Sequence, residues 1–170
     1  MSQAFPSYLK CISPIDGSVY AERPLMEKTA AFAAVKRAGY AQAAWAMRPL
    51  DERMAIVRDA VAHIGEMNDE IVPELAWQMG RPVRYGGEFG GFTERASYMA
   101  DIAAKALAPI EIEDNDSFTR YIKRVPHGIV MVIAPWNYPY MTAINTVAPA
   151  LIAGNAVMLK HASHTPLVGE

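Results

Sequence analysis

The sequence predicts an α/β chain: a helical N-terminal layer followed by a single βαβ unit. Two observations carry this. Between residues 26 and 107, apolar residues recur at helical spacing in four successive stretches, separated by Pro and Gly signals. Over residues 128–160 the pattern changes. Ile129-Val130-Met131-Val132-Ile133-Ala134 is an unbroken, β-branched apolar run, suited to a parallel strand covered on both faces. Pro135-Trp136-Asn137-Tyr138-Pro139 breaks it, with Pro139 suited to the first turn of a helix. Met141, Ile144, Ala148 and Leu151 then share one helical face, Gly154-Asn155 stops the helix, and Ala156-Val157-Met158-Leu159 reads as a second strand. The unit is long enough for a right-handed crossover. Two parallel strands place Asn137 and Lys160 at the same carboxyl edge, where open α/β sheets bind ligands.

Taken in order, residues 1–8 carry little pattern and read as a loose arm. Asp16-Gly17 between apolar segments signals a hairpin, with Pro14 limiting its first strand to an edge. An Ala-rich helix follows over 26–46, with Phe32, Val35, Gly39 and Ala43 along one side. Pro49 ends it. The next helix takes Asp51 as N-cap, buries Met54, Val57, Val61 and Ile64, and closes at Gly65. A third is capped by Asn68 or Asp69, carries Pro73 in its first turn, faces Ile71, Leu75 and Met79 inward and stops at Gly80. A fourth covers 89–107 through Phe92, Ala96, Met99 and Ala103, with Gly90 and Gly91 weakening its start. Residues 111–116 read as an acidic, solvated connection without the glycine and spacing of a calcium loop. Residues 118–125 alternate without a clean apolar face, as an edge or interface strand does.

Composition bounds the function. The chain has 170 residues, of which 52% are hydrophobic and 20% charged, which is a globular balance. A chain of this size buries roughly 68–70% of its unfolded surface, enough for a core. Sixteen basic residues against eighteen acidic ones give a net charge of −2, which offers no footprint for nucleic acid and no polybasic membrane patch. No basic-then-apolar leader opens the sequence, and no apolar run reaches membrane-spanning length. A single cysteine, Cys11, excludes an internal disulfide and fits a reducing compartment, so a cytoplasmic location is expected. His161 and His164 lack a carboxylate in zinc-type spacing, so no metal is expected.

The motifs in residues 128–160 resemble the aldehyde dehydrogenase superfamily. Gly128-Ile129-Val130, Ile133-Ala134-Pro135-Trp136-Asn137-Tyr138-Pro139, Pro149-Ala150-Leu151-Ile152-Ala153-Gly154-Asn155 and Leu159-Lys160 match in order. The resemblance implies the first βαβ unit of a Rossmann-like nucleotide-binding domain, incomplete here. It divides the chain into a hairpin and helical part over 1–117, a bridging strand that serves oligomer assembly over 118–127, and the cofactor unit over 128–170. It further implies NAD or NADP as cofactor, a small-molecule aldehyde as substrate and a homo-oligomer in the full-length form. The family's cysteine nucleophile and general-base glutamate lie beyond Glu170, so this chain alone is expected to be inactive.

Asn137 has two readings. An asparagine before a helix is an ordinary N-cap; the resemblance instead gives its amide to an oxyanion forming at the aldehyde carbon. Trp136 reads as packing at a strand end, or, with the backbone of Ile133, Ala134 and Pro135, as a wall against the cofactor. Lys160 is a solvated strand-end lysine or a ribose contact. Beyond it, many relatives carry Lys-Pro-Ser-Glu, whereas this chain has Lys160-His161-Ala162-Ser163. A glutamate in the last position binds ribose hydroxyls and repels a 2′-phosphate. Neutral Ser163, beside Lys160 and His161, leans the expectation toward NADP. Cys11, far upstream of this unit with nothing nearby to activate it, reads as structural. Two alternatives to an aldehyde oxidation enzyme are a noncatalytic interaction module derived from the fold and part of a CoA-acylating semialdehyde dehydrogenase.

Overall fold

The computed structural model describes residues 8–170. The expected loose arm therefore lies outside the described residues, except that Tyr8 already belongs to a strand. Strands β1 (Tyr8–Ile12) and β2 (Val19–Pro24) form the expected antiparallel hairpin. Its turn is tied by the Asp16 carboxylate, which accepts the Ser18 N–H at 2.9 Å. That bond holds the Asp16 carboxyl below its usual range. Pro14 lies in the connection and interrupts no strand.

Four helices follow: α1 (Lys28–Ala46), α2 (Leu50–Glu66), α3 (Asn68–Met79) and α4 (Phe89–Leu107). Strands β3 (Ile110–Asp114), β4 (Thr119–Ile122) and β5 (Ile129–Ile133), helix α5 (Pro139–Ile152) and strand β6 (Ala156–Lys160) complete the order. Each strand pair forms its own two-stranded sheet. Only β5 and β6 are parallel, and their register runs from Ile129 opposite Ala156 to Ile133 opposite Lys160.

The core lies between α2, α4 and α5. Val57 and Val61 of α2, Phe92, Ala96, Ala100 and Ala103 of α4, and Ile144, Ala148 and Ile152 of α5 are its buried members. Alanine dominates the α4 stripe, which lets the two neighbouring helices approach closely. At about 25 cal/mol per Å², each fully buried Val or Ile here contributes roughly 1.5–3 kcal/mol.

Helix α5 is the central element, and its termini are satisfied from outside. The carbonyls of Leu151, Ile152 and Gly154 accept bonds from Trp45 Nε1 (2.8 Å), Arg53 Nε (2.9 Å) and Gln42 Nε2 (2.9 Å). Asn155, 4% exposed, bonds Ala150 O through Nδ2 while its Oδ1 accepts the Gly128 N–H, both at 3.0 Å. The last turn of α5 thereby gains partners for carbonyls that a bare helix end leaves open, and Arg53 adds positive charge at the negative pole.

Several local expectations are corrected. Pro49, not Asp51, is the N-cap of α2; Asp51 sits inside the first turn, where its charge favours the helix dipole. Gly65 does not close α2, which runs one residue further. A Cβ at Gly65 would lie 1.9 Å from the Phe89 ring, so the glycine makes room for an aromatic of α4. Met67 precedes α3, so neither Asn68 nor Asp69 caps it, and Pro73 is its sixth residue rather than part of its first turn. Helix α1 starts at Lys28 and holds no fully buried residue; Phe32 is 65% exposed, and the helix leans inward instead through Gln42 and Trp45. The acidic connection is strand β3, paired with β4 through Glu111 opposite Tyr121 and Asp114 opposite Thr119. Its three acidic residues, Glu111, Glu113 and Asp114, hid a strand whose side chains face mostly solvent.

Candidate active-site edge of the parallel pair

The β5–β6 pair delivers two loops to one edge. Pairing continues a residue beyond β5, where Ala134 N–H donates to Lys160 O at 3.0 Å. Ala134 is 4% exposed and anchors the departing chain, and Pro135 ends the ladder by having no N–H to offer. Ile133 (69% exposed) and Trp136 (49%) present open apolar surface at this edge. The loop after β6 comes back alongside, with the Trp136 and His164 ring centroids 6.0 Å apart. Ser163 is exposed in the turn there, which Thr165 N–H closes onto Ala162 O at 3.2 Å. The edge thus brings together Ile133, Ala134, Pro135, Trp136, Lys160 and the turn bearing Ser163.

Lys160 Nζ is exposed and bonds the carbonyl of His161 at 3.0 Å. His161 adds no charge beside it. Burial, then the nearby Lys160 ammonium, hold its imidazole below the ordinary histidine pKa, against a smaller pull from Glu170. The positive character expected from this pair belongs to Lys160 alone.

The cap reading of Asn137 is excluded. Tyr138 is the N-cap of α5, and no side chain of the loop caps the helix. The Asn137 side chain is exposed and, among the described residues, has no hydrogen-bond partner. Its backbone is held instead. Arg81 Nη2 donates to Asn137 O at 2.5 Å, Arg81 Nη1 donates to Glu88 Oε1 at 2.7 Å, and the guanidinium lies 4.9 Å from the Tyr138 ring centroid. Glu88 Oε2 then accepts the Met141 N–H at 2.7 Å. Met141 is the third residue of α5, so Glu88 supplies the carboxylate that the loop lacks at a helix N-terminus.

Sequence reasoning missed both residues. Their signal is faint: Arg81 follows the Gly80 stop, and Glu88 sits among the glycines before α4. Gly80 has φ +77°, a conformation costly for other residues, and this turns Arg81 toward α5. Beside the loop lies an open cleft of about 490 Å³ walled by Arg81, Tyr85, Tyr138 and Met141.

Burial holds two further ionisable groups of the chain, Tyr140 and Cys11, toward their protonated forms. Tyr140 is pushed up to about 12, by burial and then by the Glu74 and Glu88 charges, so its phenol keeps its proton. Cys11 is 1% exposed, its Sγ donates to His164 O at 3.3 Å, and burial pushes its thiol up. This matches its structural reading. No group of three or more metal-ligating side chains occurs among the described residues. No helix among them is long and apolar enough to cross a membrane.

A parallel βαβ unit buttressed by helices is the beginning of an open α/β fold, whose carboxyl edge is where such sheets take ligands. The sequence matches the model of the aldehyde dehydrogenase family over residues 2–170, and the chain belongs to that family. It is 35% identical over 163 residues to the vanillin dehydrogenase of Corynebacterium glutamicum, covering 93% of this chain and 33% of that protein. It is 30% identical over 158 residues to the NADP(+) succinate-semialdehyde dehydrogenase of Deinococcus radiodurans, covering 91% and 32%. The fold superimposes on an NAD-dependent benzaldehyde dehydrogenase from Corynebacterium glutamicum with TM-score 0.80 at 34% identity, covering 95% of this chain and 36% of that one. The chain therefore spans about a third of the length of the relatives it matches and corresponds to the N-terminal portion of the family fold.

Proposed function

We propose that this chain forms the first cofactor-binding half, and the oxyanion-holding asparagine, of an NAD(P)-dependent aldehyde dehydrogenase that oxidises an aldehyde to a carboxylate. The observation that carries the reading is the Asn137 side chain, which is exposed, is not the helix cap and has both amide hydrogens free among the described residues. Its amide donates to the oxyanion created when a cysteine thiolate, supplied from outside these 170 residues, adds to the aldehyde. The aldehyde reaches Asn137 through the cleft walled by Tyr85 and Tyr138. On its own the chain does not turn over.

The residues at the edge fit a dinucleotide. Ile133 and Trp136 offer exposed apolar surface, and the Lys160 ammonium, engaged only by a neighbouring carbonyl, can donate to ribose hydroxyls. Bound there, the nicotinamide accepts the hydride. Ser163 leaves room for a 2′-phosphate, with Lys160 as the positive group, so NADP is accepted and NAD remains usable. Among relatives, the Deinococcus radiodurans enzyme is named for NADP(+) and the Pseudomonas putida benzaldehyde dehydrogenase for NAD(+). Residues 1–117 act as the hairpin and helical part, 118–127 as bridging strand and 128–170 as cofactor unit; the bridging strand, together with its partner β3, joins protomers of a homo-oligomer in a cytoplasmic setting through the exposed Ile112, Tyr121 and Ile122.

A chimera tests the reading. This chain replaces the corresponding third of the vanillin dehydrogenase of Corynebacterium glutamicum, and an aldehyde panel is assayed with NAD and NADP. Turnover is expected in the chimera and none in the isolated chain. A folded, cofactor-binding chimera whose kcat is unchanged by Asn137→Ala overturns the assignment. Equal NADP/NAD efficiency ratios before and after Ser163→Glu overturn the cofactor part.

A second reading, a noncatalytic interaction module, draws on the uncovered apolar residues Met131 and Ile133 of β5. It predicts chimeras that assemble but never turn over.

A further inference from the structure

We infer that Arg81 and Glu88 are positioning residues for aldehyde oxidation: one buried ion pair from the α3–α4 connection fixes the loop that presents Asn137. The inference rests on the proposed role of Asn137 and adds what holds it in place. Three contacts support it, at successive points of one short segment. Arg81 bonds the Asn137 carbonyl at 2.5 Å and covers the Tyr138 ring at 4.9 Å, and Glu88 bonds the Met141 N–H at 2.7 Å. The pair itself is closed at 2.7 Å, with side chains only 11% and 2% exposed.

Each valence matters to the geometry. The Met141 N–H is among the first of α5, which have no intrahelical partner, and the Asn137 carbonyl lies in the loop just before the N-cap, outside the helix ladder. The loop carries no capping side chain, so water or a remote residue must serve them. Arg81 and Glu88 serve both ends and neutralise each other, which lets the carboxylate stay buried against α5 without a net charge. With its backbone pinned on the Arg81 side, the Asn137 side chain is left free. A lysine at position 81 supplies the charge but not the planar fork or the ring contact.

Both residues line the open cleft, but their polar atoms are engaged with each other, with the Asn137 carbonyl and with the Met141 N–H, so their loss acts through the loop. A misplacement of about 1 Å in a reacting group can cost roughly a hundredfold in rate. Two measurements on Arg81→Met, Arg81→Lys and Glu88→Gln test the inference. Amide exchange on the 170-residue chain is expected to accelerate about tenfold or more at Met141 and Thr142 in Arg81→Met and Glu88→Gln, with residues 144–152 unchanged and Arg81→Lys in between. In the active chimera, kcat is expected to fall about tenfold or more in the same order, with KM for the cofactor held within about twofold. Unchanged exchange at Met141 and Thr142, or equal acceleration across all of α5, overturns the inference. Normal kcat in a variant whose loop exchanges faster also overturns it. If the parent chimera oxidises no aldehyde, the proposed function fails, and exchange alone then decides whether the pair holds the loop.

Discussion

The side-chain amide of Asn137 is exposed and makes no hydrogen bond among the described residues, so its removal should be silent in stability and loud in rate. In the active chimera, replacing Asn137 by Ala is expected to lower kcat by about 10²–10³-fold, the usual loss for one oxyanion donor, under the proposed role. Thermal unfolding should move by less than a degree or two, as for a surface change of about 0.5 kcal/mol or less. Steady-state kinetics and calorimetry on the same preparation check both halves. His161 gives a pH prediction. Its folded pKa is depressed, so between that value and the ordinary one near 6.5 the unfolded chain binds more protons. Stability from this group is present above about pH 6.5 and is lost as pH falls through the folded pKa. NMR titration of the imidazole should give a midpoint below about 6.5, and His161→Gln should remove that part of the acid sensitivity. At this scale the sequence singles out residues only where a motif exists. Pro-Trp-Asn-x-Pro pointed to Asn137, whereas Arg81 and Glu88 act through backbone atoms 56 and 53 residues away, and no local pattern encodes such a contact.

At the scale of elements, two glycines inside helices respond to alanine in opposite directions. A Cβ at Gly65 would meet three Phe89 ring atoms at 1.9–2.5 Å, so Gly65→Ala should destabilise by about 1–3 kcal/mol through overpacking. Pairing it with Phe89→Leu should recover part of the loss. A Cβ at Gly39 would find only Ile129 Cδ1, at 4.0 Å, and Gly39→Ala should stabilise α1 by up to about 1 kcal/mol. Urea midpoints of the three variants separate these outcomes. Helix patterns were readable because α4 and α5 have one buried stripe each, and the expected limits of α4 agree with the observed Phe89–Leu107. The exposed face of α1 and the acidic β3 were misread for one reason. Periodicity reports burial, and those elements bury little.

Over the whole molecule, apolar surface is distributed unevenly. The α2–α4–α5 core gathers the buried apolar side chains, while Met131 and Ile133 of β5 are 62% and 69% exposed. Two-stranded sheets leave edges that other chains can pair with. The isolated chain is therefore expected to sediment above its 18.7 kDa monomer mass as concentration rises, and Ile133→Lys should shift it back toward monomer. Sedimentation velocity across a dilution series reads both. The parallel unit could be inferred from one chain because strand, turn and helix signals followed in order. The lateral partners of that sheet could not, because nothing within β5 or β6 specifies them.

The buried Cys11 gives the molecule a reporter of its own. As the sole cysteine, it sits between the hairpin and the carbonyls of Gln78 and His164, at the junction of three segments distant in sequence. A thiol-reactive dye can label it only when that junction parts. The labelling rate in native buffer, set against the rate for the unfolded chain, becomes a clock for how often the N-terminal hairpin lets go, with no engineered probe required.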